Sequence, residues 1–389
     1  MRKKKLLVTA STFPRWEGDT EPRFVLDLCK YLTEWFDVTA LVPCAPGAKE
    51  KEMLDGVEVI RYHYFPIHKW ETLCYPGAIV PRIKEKKIRI VLVPFLFFAL
   101  YFQMLKWLKN YDMVHAHWLI PQGIVQSFFK KPYIVTGHGG DVSSLNAGVI
   151  KKLKIRCLKR ARHVTVVSED LGARIEKLLP GLKPSVISMG VDMSKFGSQY
   201  AVENYFGQDG KKVVLFVGRL AEKKGVAYLI EAMKKIDAVL IIAGDGPLKE
   251  SLMEQAKSQG DKIRFVGPQI HDRLRAMYAS ADVFAAPFVT AEDGDKEGLS
   301  VVVLEALASG LPIVACGVGG VGELLRDKET ALLCEEKNVD QLADAILAVL
   351  HDDRLGSRLA RNGTKLVSRY DYKEIAARFA GVMGENAVG

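Results

Sequence analysis

Short apolar runs alternate with amphipathic stretches along most of this chain, and turn-forming or charged residues follow most of the runs. Apolar runs of about five residues bounded in this way predict strands that are buried on both faces. The stretches between them carry apolar residues at helical spacing. Strands that alternate with helices predict parallel, doubly wound sheets of the α/β class. The predicted strands fall at 6–10, 37–42, 57–61, 112–116, 133–136, 164–168 and 183–187 in the first half, and at 213–217, 238–243, 263–267 and 311–315 in the second.

A polar segment separates the two series of strands. Residues 197–212 read GSQYAVENYFGQDGKK, which is polar and contains glycine. A chain of 389 residues is expected to hold two or three domains. We therefore predict two Rossmann-like domains with a boundary near residue 200.

Composition favours anionic partners and a reducing compartment. The formal net charge of +9 favours nucleotides, acidic lipid surfaces or nucleic acid as partners. The six cysteines are scattered without a C-x-x-C pair, so we interpret them as reduced core residues of a cytosolic protein, neither disulfides nor a zinc site. The basic start of the chain precedes only a short apolar run, which we interpret as the first strand rather than a signal peptide.

One stretch, residues 88–108, is almost entirely apolar and has basic flanks. Its length is borderline for a helix that spans a bilayer, and a span here would separate strands that must share one sheet. We expect a helix with one face in the core and one edge on an anionic bilayer. A wholly buried core helix is the alternative. The basic residues before the stretch are Lys84, Lys86, Lys87 and Arg89.

The densest set of candidate chemistry lies in residues 297–323. Glu297 and Glu305 lie eight residues apart, with Gly298 in a position to form a tight turn. Ser300 is a good N-cap for a helix that begins at Val301. The backbone N–H groups of 299–302 and the positive end of the helix dipole would suit a phosphate. Glu305 would lie one turn inside the helix, on a face that can meet a polar ligand.

A rival pattern overlaps this stretch. Gly317, Gly319 and Gly322 spell G-x-G-x-x-G after a predicted strand, which is the fingerprint of a dinucleotide-binding oxidoreductase. The helix that follows has room for only about seven residues before the turn at 327–330. We therefore favour a loop that admits a diphosphate or a sugar close to its backbone.

Basic and imidazole groups follow other predicted strands. Gly218 and Arg219 end the strand at 213–217, and Lys224 precedes the next helix, so both cations can point at a diphosphate. His138 stands between glycines at a strand end, where doubly wound sheets bind ligands. His115 and His117 share one strand face, but no third metal ligand is evident.

These motifs together resemble the retaining glycosyltransferases of the GT-B fold, in the large family 4 (glycosyl transferases group 1). The Glu-x7-Glu pair, the G-R-x4-K-G pattern from Gly218 and the TGHGGDV loop occur in the family's order. The resemblance implies two Rossmann-like doubly wound domains that face a central cleft. We expect an acceptor-side domain at 1–195, a nucleotide-sugar domain at 196–365, and a C-terminal helix at 366–389 that crosses back to the first domain.

The resemblance also implies roles for individual residues. Glu297 would meet the donor sugar, Glu305 the ribose, and His138 the sugar near its anomeric centre. Arg219 and Lys224 would stabilise the diphosphate, and no acidic motif for a divalent metal is evident, so no metal or other cofactor is expected. In the first strand-to-helix loop the family carries a Gly-Gly pair where this chain has Gly18 and Asp19. The donor-binding set that we predict comprises Gly18, Gly218, Arg219, Lys224, Gly298, Leu299, Ser300 and Glu305.

The implied activity is metal-independent, retaining transfer of a hexosyl unit from a UDP- or GDP-sugar to an acceptor hydroxyl. A glycan or lipid-linked acceptor in polysaccharide biosynthesis would place the enzyme in the cytoplasm, as a peripheral protein on the inner face of the membrane. A nucleotide-sugar epimerase of the same fold is one alternative. A basic nucleic-acid-binding protein is the other, but the chain lacks an interleaved aromatic and basic motif, so no nucleic-acid partner is expected.

Overall fold

The computed structural model of the protein describes residues 2–19, 21–207 and 210–384. The chain divides into two compact units: unit 1 comprises residues 1–189 and 372–389, and unit 2 comprises residues 190–371. Each unit is built on one largely parallel sheet. The α/β class and the presence of two doubly wound sheets, which the alternation of strands and helices predicted, are confirmed.

The sheet of unit 1 has eight strands in the order β3-β4-β2-β1-β5-β6-β7-β8. Every neighbouring pair is parallel except β3 and β4. The order reverses at β1, so the strand ends of β1 and β5 flank the point where doubly wound sheets bind ligands. The strands are β1 (Lys4–Thr9), β2 (Phe36–Pro43), β3 (Lys51–Leu54), β4 (Val57–Tyr62), β5 (Met113–His117), β6 (Tyr133–Gly137), β7 (His163–Val166) and β8 (Ser185–Val186).

The first seven helices belong to unit 1. They are α1 (Phe24–Leu32), α2 (Ile79–Glu85), α3 (Leu92–Trp107), α4 (Ile124–Gln126), α5 (Gly140–Ser143), α6 (Gly148–Arg160) and α7 (Glu169–Leu178). Helix α3 buries every fourth residue, namely Leu92, Leu96, Leu100 and Met104, whereas much of its remaining apolar surface is exposed. The alternative of a wholly buried core helix at 88–108 is therefore wrong, because this stretch has more apolar residues than one packed row can cover.

The sheet of unit 2 has six parallel strands in the order β11-β10-β9-β12-β13-β14. This order places the switch point at the carboxyl ends of β9 and β12. The strands are β9 (Val213–Val217), β10 (Val239–Ala243), β11 (Ile263–Gly267), β12 (Val283–Ala286), β13 (Ile313–Cys316) and β14 (Leu332–Cys334). The helices are α8 (Val226–Ala232), α9 (Lys249–Ala256), α10 (His271–Ser280), α11 (Val301–Ala308), α12 (Gly320–Leu324), α13 (Val339–His351) and α14 (Asp353–Val367).

The last helix, α15 (Tyr372–Met383), belongs to unit 1, where it packs against α1. Tyr372 stacks on Tyr31 and its hydroxyl donates to the carbonyl oxygen of Phe24, 3.2 Å away. The boundaries lie a few residues from the expected 195/196 and 365/366. Residues from 190 onward pack with unit 2, because the Val191 amide donates to the Tyr370 carbonyl and Phe196 enters the core of that unit.

Candidate active site

A buried ion pair lies at the strand ends of unit 2. Lys224 ends the short turn that follows β9 and precedes α8, and Glu297 lies in the loop between β12 and α11. The Lys224 Nζ lies 3.1 Å from the Glu297 Oε1 and 3.4 Å from the Ser300 Oγ. The same ammonium lies 4.3 Å from the centroid of the Phe288 ring. The geometry joins three residues that the sequence assigned to a diphosphate and a sugar.

Burial and neighbouring charge shift the pKa values of Lys224 and Glu297 in opposite directions. Burial lowers the pKa of Lys224, and the negative charge of Glu297 partly opposes that shift. For Glu297, burial alone would raise the pKa, but the charges of Lys224 and Lys223, with hydrogen bonds from Lys224 and Ser300, outweigh it and lower the pKa. Glu297 is therefore a carboxylate at neutral pH, and its charge favours the protonated form of Lys224.

One oxygen of Glu297 remains available. Its Oε2 is buried and accepts no hydrogen bond from any residue in the described part of the chain. The Nζ of Lys223 lies 3.8 Å from this oxygen and also contacts Asp295 at 3.1 Å. A buried acceptor without a donor is costly, so this oxygen is suited to accept a hydrogen bond from a ligand hydroxyl.

Glycines hold this loop against its neighbours. A Cβ atom on Gly319 would lie 2.1 Å from the carbonyl oxygen of Glu297, and one on Gly320 would lie 2.8 Å from the Leu299 backbone nitrogen. The Gly320 amide also donates to the Glu297 carbonyl, 3.2 Å away. The G-x-G-x-x-G pattern therefore serves close packing on the glutamate loop. Helix α12 begins at Gly320, within the pattern, and has only five residues, which is short for the helix that a dinucleotide fingerprint opens.

The loop around Arg219 is packed in the same way. A Cβ atom on Gly244 would lie 1.9 Å from the carbonyl oxygen of Gly218, and one on Gly246 would lie within 2.7 Å of the Leu220 backbone. Gly218 itself has φ near +155°. These glycines fix the backbone that precedes and follows Arg219, whose side chain is half-buried.

Helix α11 begins at Val301, as predicted, but its first turn differs from the expectation in one respect. Ser300 is the N-cap residue, yet its side chain makes no capping hydrogen bond. Its hydroxyl faces Lys224 instead, because the buried ammonium needs an oxygen acceptor. The expected side-chain cap is therefore wrong, although the helix start and the position of Ser300 are correct.

Glu305, one turn inside α11, is positioned by a tyrosine. The hydroxyl of Tyr278, at the end of α10, donates to the Glu305 Oε2 over 2.9 Å. Tyr278 is fully buried, and its pKa is raised well above its usual value by burial and by the charge of Glu305. The sequence offered no spacing that would link these residues, which are 27 positions apart.

A second set of groups lies at the strand ends of unit 1. The His138 Nε2 lies 2.9 Å from the Nδ1 of His117, so one nitrogen carries the proton that the other accepts. The His138 ring also packs against Phe24 and Trp118, at centroid distances of 5.4 and 4.7 Å. His115 lies on the same strand as His117, and its Nε2 is 2.7 Å from the Thr136 hydroxyl.

Burial keeps these imidazoles neutral. It lowers the pKa of His138 to about 3, and burial together with the neighbouring His138 lowers the pKa of His115 to about 3. The pKa of His117 is lowered in the same direction, mainly by burial. In the described part of the chain, no group of three or more His, Cys, Asp or Glu residues is placed to hold a metal ion. The histidine pair on β5 therefore supports His138 in this structure.

Asp141 fixes the loop that carries His138. Its Oδ1 accepts from the backbone amides of His138 and Gly139 at 3.1 and 2.9 Å, and its Oδ2 accepts from the Leu119 amide at 2.8 Å. Burial raises the pKa of Asp141, and these three backbone donors partly oppose the shift. Gly139, with φ near +153°, supplies the backbone conformation that the turn needs.

Gly18 lies in a loop that is closed by an ion pair. Arg15 donates from its side chain to both carboxylate oxygens of Asp19 at 2.8 and 3.0 Å, and Gly18 has φ near +78°. The guanidinium carbon of Arg15 lies 3.9 Å from the Trp16 ring centroid and 4.2 Å from that of Tyr75. Asp19, which stands where the family has a second glycine, is therefore committed to a structural contact.

The structure brings Lys224, Glu297 and Ser300 into direct contact and distributes the predicted residues over the two units. Unit 2 holds Gly218, Arg219, Lys224, Gly298, Leu299, Ser300, Glu297 and Glu305, and unit 1 holds Gly18 and His138. Sequence reasoning missed the contributions of Lys223, Tyr278 and His117. Lys223 could have been found from the sequence, because it adjoins Lys224 before the helix. Tyr278 and His117 are recognised only from their contacts with Glu305 and His138, which are distant in the sequence.

Comparison with known proteins gives consistent matches. The Glycosyl transferases group 1 profile matches residues 203–366, and the Glycosyltransferase Family 4 profile matches residues 22–195. A phosphatidyl-myo-inositol mannosyltransferase of Mycobacterium tuberculosis is 30% identical over 291 residues, which cover 70% of this chain and 74% of that protein.

Two solved structures share the fold. Sucrose-phosphate synthase from Thermosynechococcus elongatus superposes with a TM-score of 0.77 at 21% identity, over 98% of each chain. The Anabaena protein HepE in complex with UDP-glucose superposes with a TM-score of 0.72 at 19% identity, over 98% of this chain and 99% of that one.

Proposed function

Because this chain belongs to the family 4 glycosyltransferases of the GT-B fold, the glycosyl transferases group 1, we propose that it moves a hexosyl unit from a nucleoside-diphosphate sugar to an acceptor hydroxyl with retention of configuration. The observation that carries the proposal is the buried Lys224–Glu297 pair before α11, with one carboxylate oxygen left for a ligand. A charged pair of this kind in a dry environment can bind a sugar hydroxyl and a phosphate side by side.

The leaving diphosphate is proposed to bind Arg219, Lys224 and the backbone amides that begin α11. As the bond from the anomeric carbon to the diphosphate oxygen breaks, negative charge grows on that oxygen. Fixed cations and amides aimed at this position stabilise the charge without reorganisation. With these groups in place we propose a reaction that requires no metal ion. The acceptor oxygen bonds to the anomeric carbon, and its proton passes to the departing phosphate.

The glutamates are proposed to divide the recognition of the donor. Glu305, held by Tyr278 through one oxygen, would accept a hydrogen bond from a ribose hydroxyl. Glu297 would orient the sugar through its open Oε2 and would not act as a covalent nucleophile.

His138 is proposed to hydrogen-bond the donor sugar near the anomeric centre as a neutral imidazole. With its pKa lowered to about 3 by burial, it cannot act as a cationic acid near neutral pH. Its pairing with His117 commits the Nε2, so the Nδ1 is the nitrogen left for the sugar.

The donor is proposed to be a UDP- or GDP-sugar, and the acceptor a lipid-linked glycan or a polysaccharide precursor on the cytoplasmic side of a membrane. Two comparisons support this: HepE was solved with UDP-glucose, and a relative is a phosphatidyl-myo-inositol mannosyltransferase.

A donor screen tests the proposal. The purified full-length chain would be mixed separately with UDP-glucose, UDP-galactose, UDP-N-acetylglucosamine and GDP-mannose, and thermal stabilisation and slow hydrolysis would be recorded. We expect one donor to stabilise wild-type protein and to be hydrolysed, and Glu297→Gln to bind it without hydrolysis. Conversion of the nucleotide sugar to its epimer would favour the epimerase, and stabilisation by random DNA but by no donor would reject the transferase.

A further inference from the structure

Helix α3 of unit 1 carries an exposed apolar row opposite its buried one. Phe98, Phe102 and Leu105 expose 64%, 63% and 53% of their surface. The segment Lys87–Asn110 is long and apolar enough to cross a bilayer by length and composition. However, the row from Leu92 to Met104 is buried within unit 1, so the helix could span a bilayer only if these residues left the core of that unit. The exposed row is therefore suited to lie in the plane of an interface.

The apolar row continues into a strongly basic helix. The Tyr101 ring lies 5.0 Å from that of Phe129, and the neighbouring Phe128, which is half exposed, packs beneath the guanidinium of Arg156 at 4.7 Å. Arg156 lies on α6, which also contacts α4. Helices α3 and α6 thus each contact one of the two adjacent phenylalanines, Phe129 and Phe128.

Helix α6 contains no acidic residue. Its basic residues exposed to solvent are Lys151, Lys152, Arg156, Lys159 and Arg160. At the two ends of α3, Lys84, Lys86, Lys87, Lys106 and Lys109 are exposed as well. The nearby Glu85 is neutralised by Arg82 and Arg89, at 2.5 and 3.1 Å.

The sixth basic residue of α6 supports an apolar tip. Lys154 is fully buried and donates to the carbonyls of Val142 and Ser144 and to the Asn146 side chain, at 3.0, 2.9 and 2.6 Å. These bonds hold the segment between the His138 loop and α6. Leu145 and Val149, at the end of that segment, expose 55% and 70% of their surface. We call the exposed apolar residues of α3, Phe128, this tip and the basic residues of α6 the docking face.

Charge decides what this face can dock on. A second copy of the chain would bring the same lysines and arginines against themselves, and like charges that face each other destabilise a symmetric interface. An anionic bilayer offers both an apolar interior for the aromatic residues and negative headgroups for the bases. We propose that the docking face binds the surface of an anionic bilayer, with α3 in the plane of the headgroups. This binding requires no sugar donor, so it can be tested independently of the transfer reaction.

Vesicle sedimentation of the full-length protein tests this inference. Vesicles of phosphatidylcholine alone would be compared with mixtures of phosphatidylglycerol and phosphatidylcholine, at low and at high salt. We expect the wild-type protein to sediment with the anionic vesicles and to be partly released by salt.

Three sets of substitutions separate the parts of the face. In the first, Lys151, Lys152 and Lys159 are replaced by glutamine; since each basic residue at such a surface contributes about fivefold to partitioning, we expect about a hundredfold loss. In the second, Phe98→Ser with Phe102→Ser should remove the part of binding that resists salt. The matched control replaces Arg358, Arg361 and Lys365, exposed on α14 of unit 2, by glutamine, and should bind as the wild type does.

Each outcome decides the inference. Donor hydrolysis should be unchanged in all three variants, because none of these residues lies in the sites described above, and this shows that the variants are folded. Wild-type protein that stays in the supernatant with anionic vesicles at low salt would overturn the proposal. So would equal losses in the α6 variant and the α14 control, or a wild-type dimer in light scattering that the Phe98→Ser, Phe102→Ser variant abolishes.

Discussion

The two units have the same kind of parallel sheet but present opposite chemistry at the strand ends. Unit 2 places charge there, with the ammonium groups of Lys224 and Lys223 each within 4 Å of the Glu297 carboxylate across the loops after β9 and β12. Unit 1 places neutral imidazoles there, His117 and His138, at the ends of β5 and β6. The same architecture therefore supplies the positions in both units, and burial and neighbouring groups decide whether a side chain at such a position carries charge.

The surfaces of the two units differ as well. Of the large hydrophobic residues that the described part of the chain exposes, only Val202, Met253, Val266 and Ile270 belong to unit 2. The others belong to unit 1, and many of them lie on or beside α3. Exposed apolar area of this extent marks an interaction surface, and the docking face proposed above lies on the unit that exposes most of it.

The largest expected effect concerns the charge of unit 2. Lys224→Ala or Arg219→Ala should lower the kcat/KM of transfer or donor hydrolysis by about 10²–10³, because a cation aimed at the leaving group acts mainly in the transition state. Lys235→Ala, which removes an exposed lysine paired with Asp340 in the same unit, is the control and should be neutral. Turnover within about threefold of wild type in both site variants would remove them from the mechanism.

A second effect concerns the neutral histidines of unit 1. The pKa values of His115 and His138 are lowered to about 3, whereas an unfolded histidine titrates near 6.5. Between these values the unfolded chain binds more protons, so stability is lost as the pH falls from about 6.5 towards 3. Each of the two residues should destabilise unit 1 by roughly 1.4 kcal/mol at about pH 5.5.

Tryptophan fluorescence can follow this unfolding selectively, since all tryptophans lie in unit 1: Trp16, Trp35, Trp70, Trp107 and Trp118. Urea midpoints would be measured near neutral pH and near pH 5.5, in the wild type and in His115→Gln, which should show a smaller shift. Hydrogen exchange in β9 and β10 should change less over this range. Equal fluorescence midpoints at the two pH values would contradict the neutral, buried state of these histidines.

The next effect separates the two glutamates of unit 2. Glu305→Gln should weaken binding of the free nucleoside diphosphate by about tenfold or more, because a charged acceptor of a hydrogen bond is worth roughly 1.5–3 kcal/mol. Glu297→Gln should leave that binding near the wild-type value and abolish most transfer, since it meets the sugar. Calorimetry with the nucleotide alone distinguishes the two, and equal losses in both variants would refute the division.

The smallest effect concerns the support of Glu305. Tyr278→Phe removes the hydroxyl that holds one carboxylate oxygen, and a single hydrogen bond contributes about 1 kcal/mol. Nucleotide binding should therefore weaken about fivefold with kcat largely retained. Tyr228→Phe, on the half-buried tyrosine of α8, serves as the control. A loss as large as that of Glu305→Gln would mean that the tyrosine itself contacts the ligand.

Much of the fold followed from local pattern. The apolar runs predicted most of the strand positions, including β9 at Val213–Val217, but not β3, β12 and β14, and the helix after Ser300 begins at Val301 as expected. These features depend on residues close together in the sequence, so spacing identifies them. The switch-point loops then place Glu297 and Lys224 near each other, which their motifs also implied.

Other features depend on partners that local pattern does not contain. The Ser300 hydroxyl turns toward Lys224, 76 positions away, rather than capping its own helix. His117 pairs with His138 across 21 positions, and Asp19 is taken by Arg15 where a second glycine was the family pattern. In α3 the composition is so uniformly apolar that it does not reveal which row is buried, because several faces would satisfy the core equally well.

The return of α15 to unit 1 has a consequence for synthesis on the ribosome. Unit 2 is one continuous stretch of the chain. Unit 1 is not complete until α15 has been translated after unit 2, because Tyr372 and Phe379 of α15 pack on Tyr31 of α1 and His115 of β5. At bacterial or eukaryotic elongation rates the delay is on the order of ten seconds. The unit that is translated first is thus the last to be completed. Until α15 has been translated, the apolar surface that it covers in unit 1 is exposed, and surfaces of this kind are bound by chaperones.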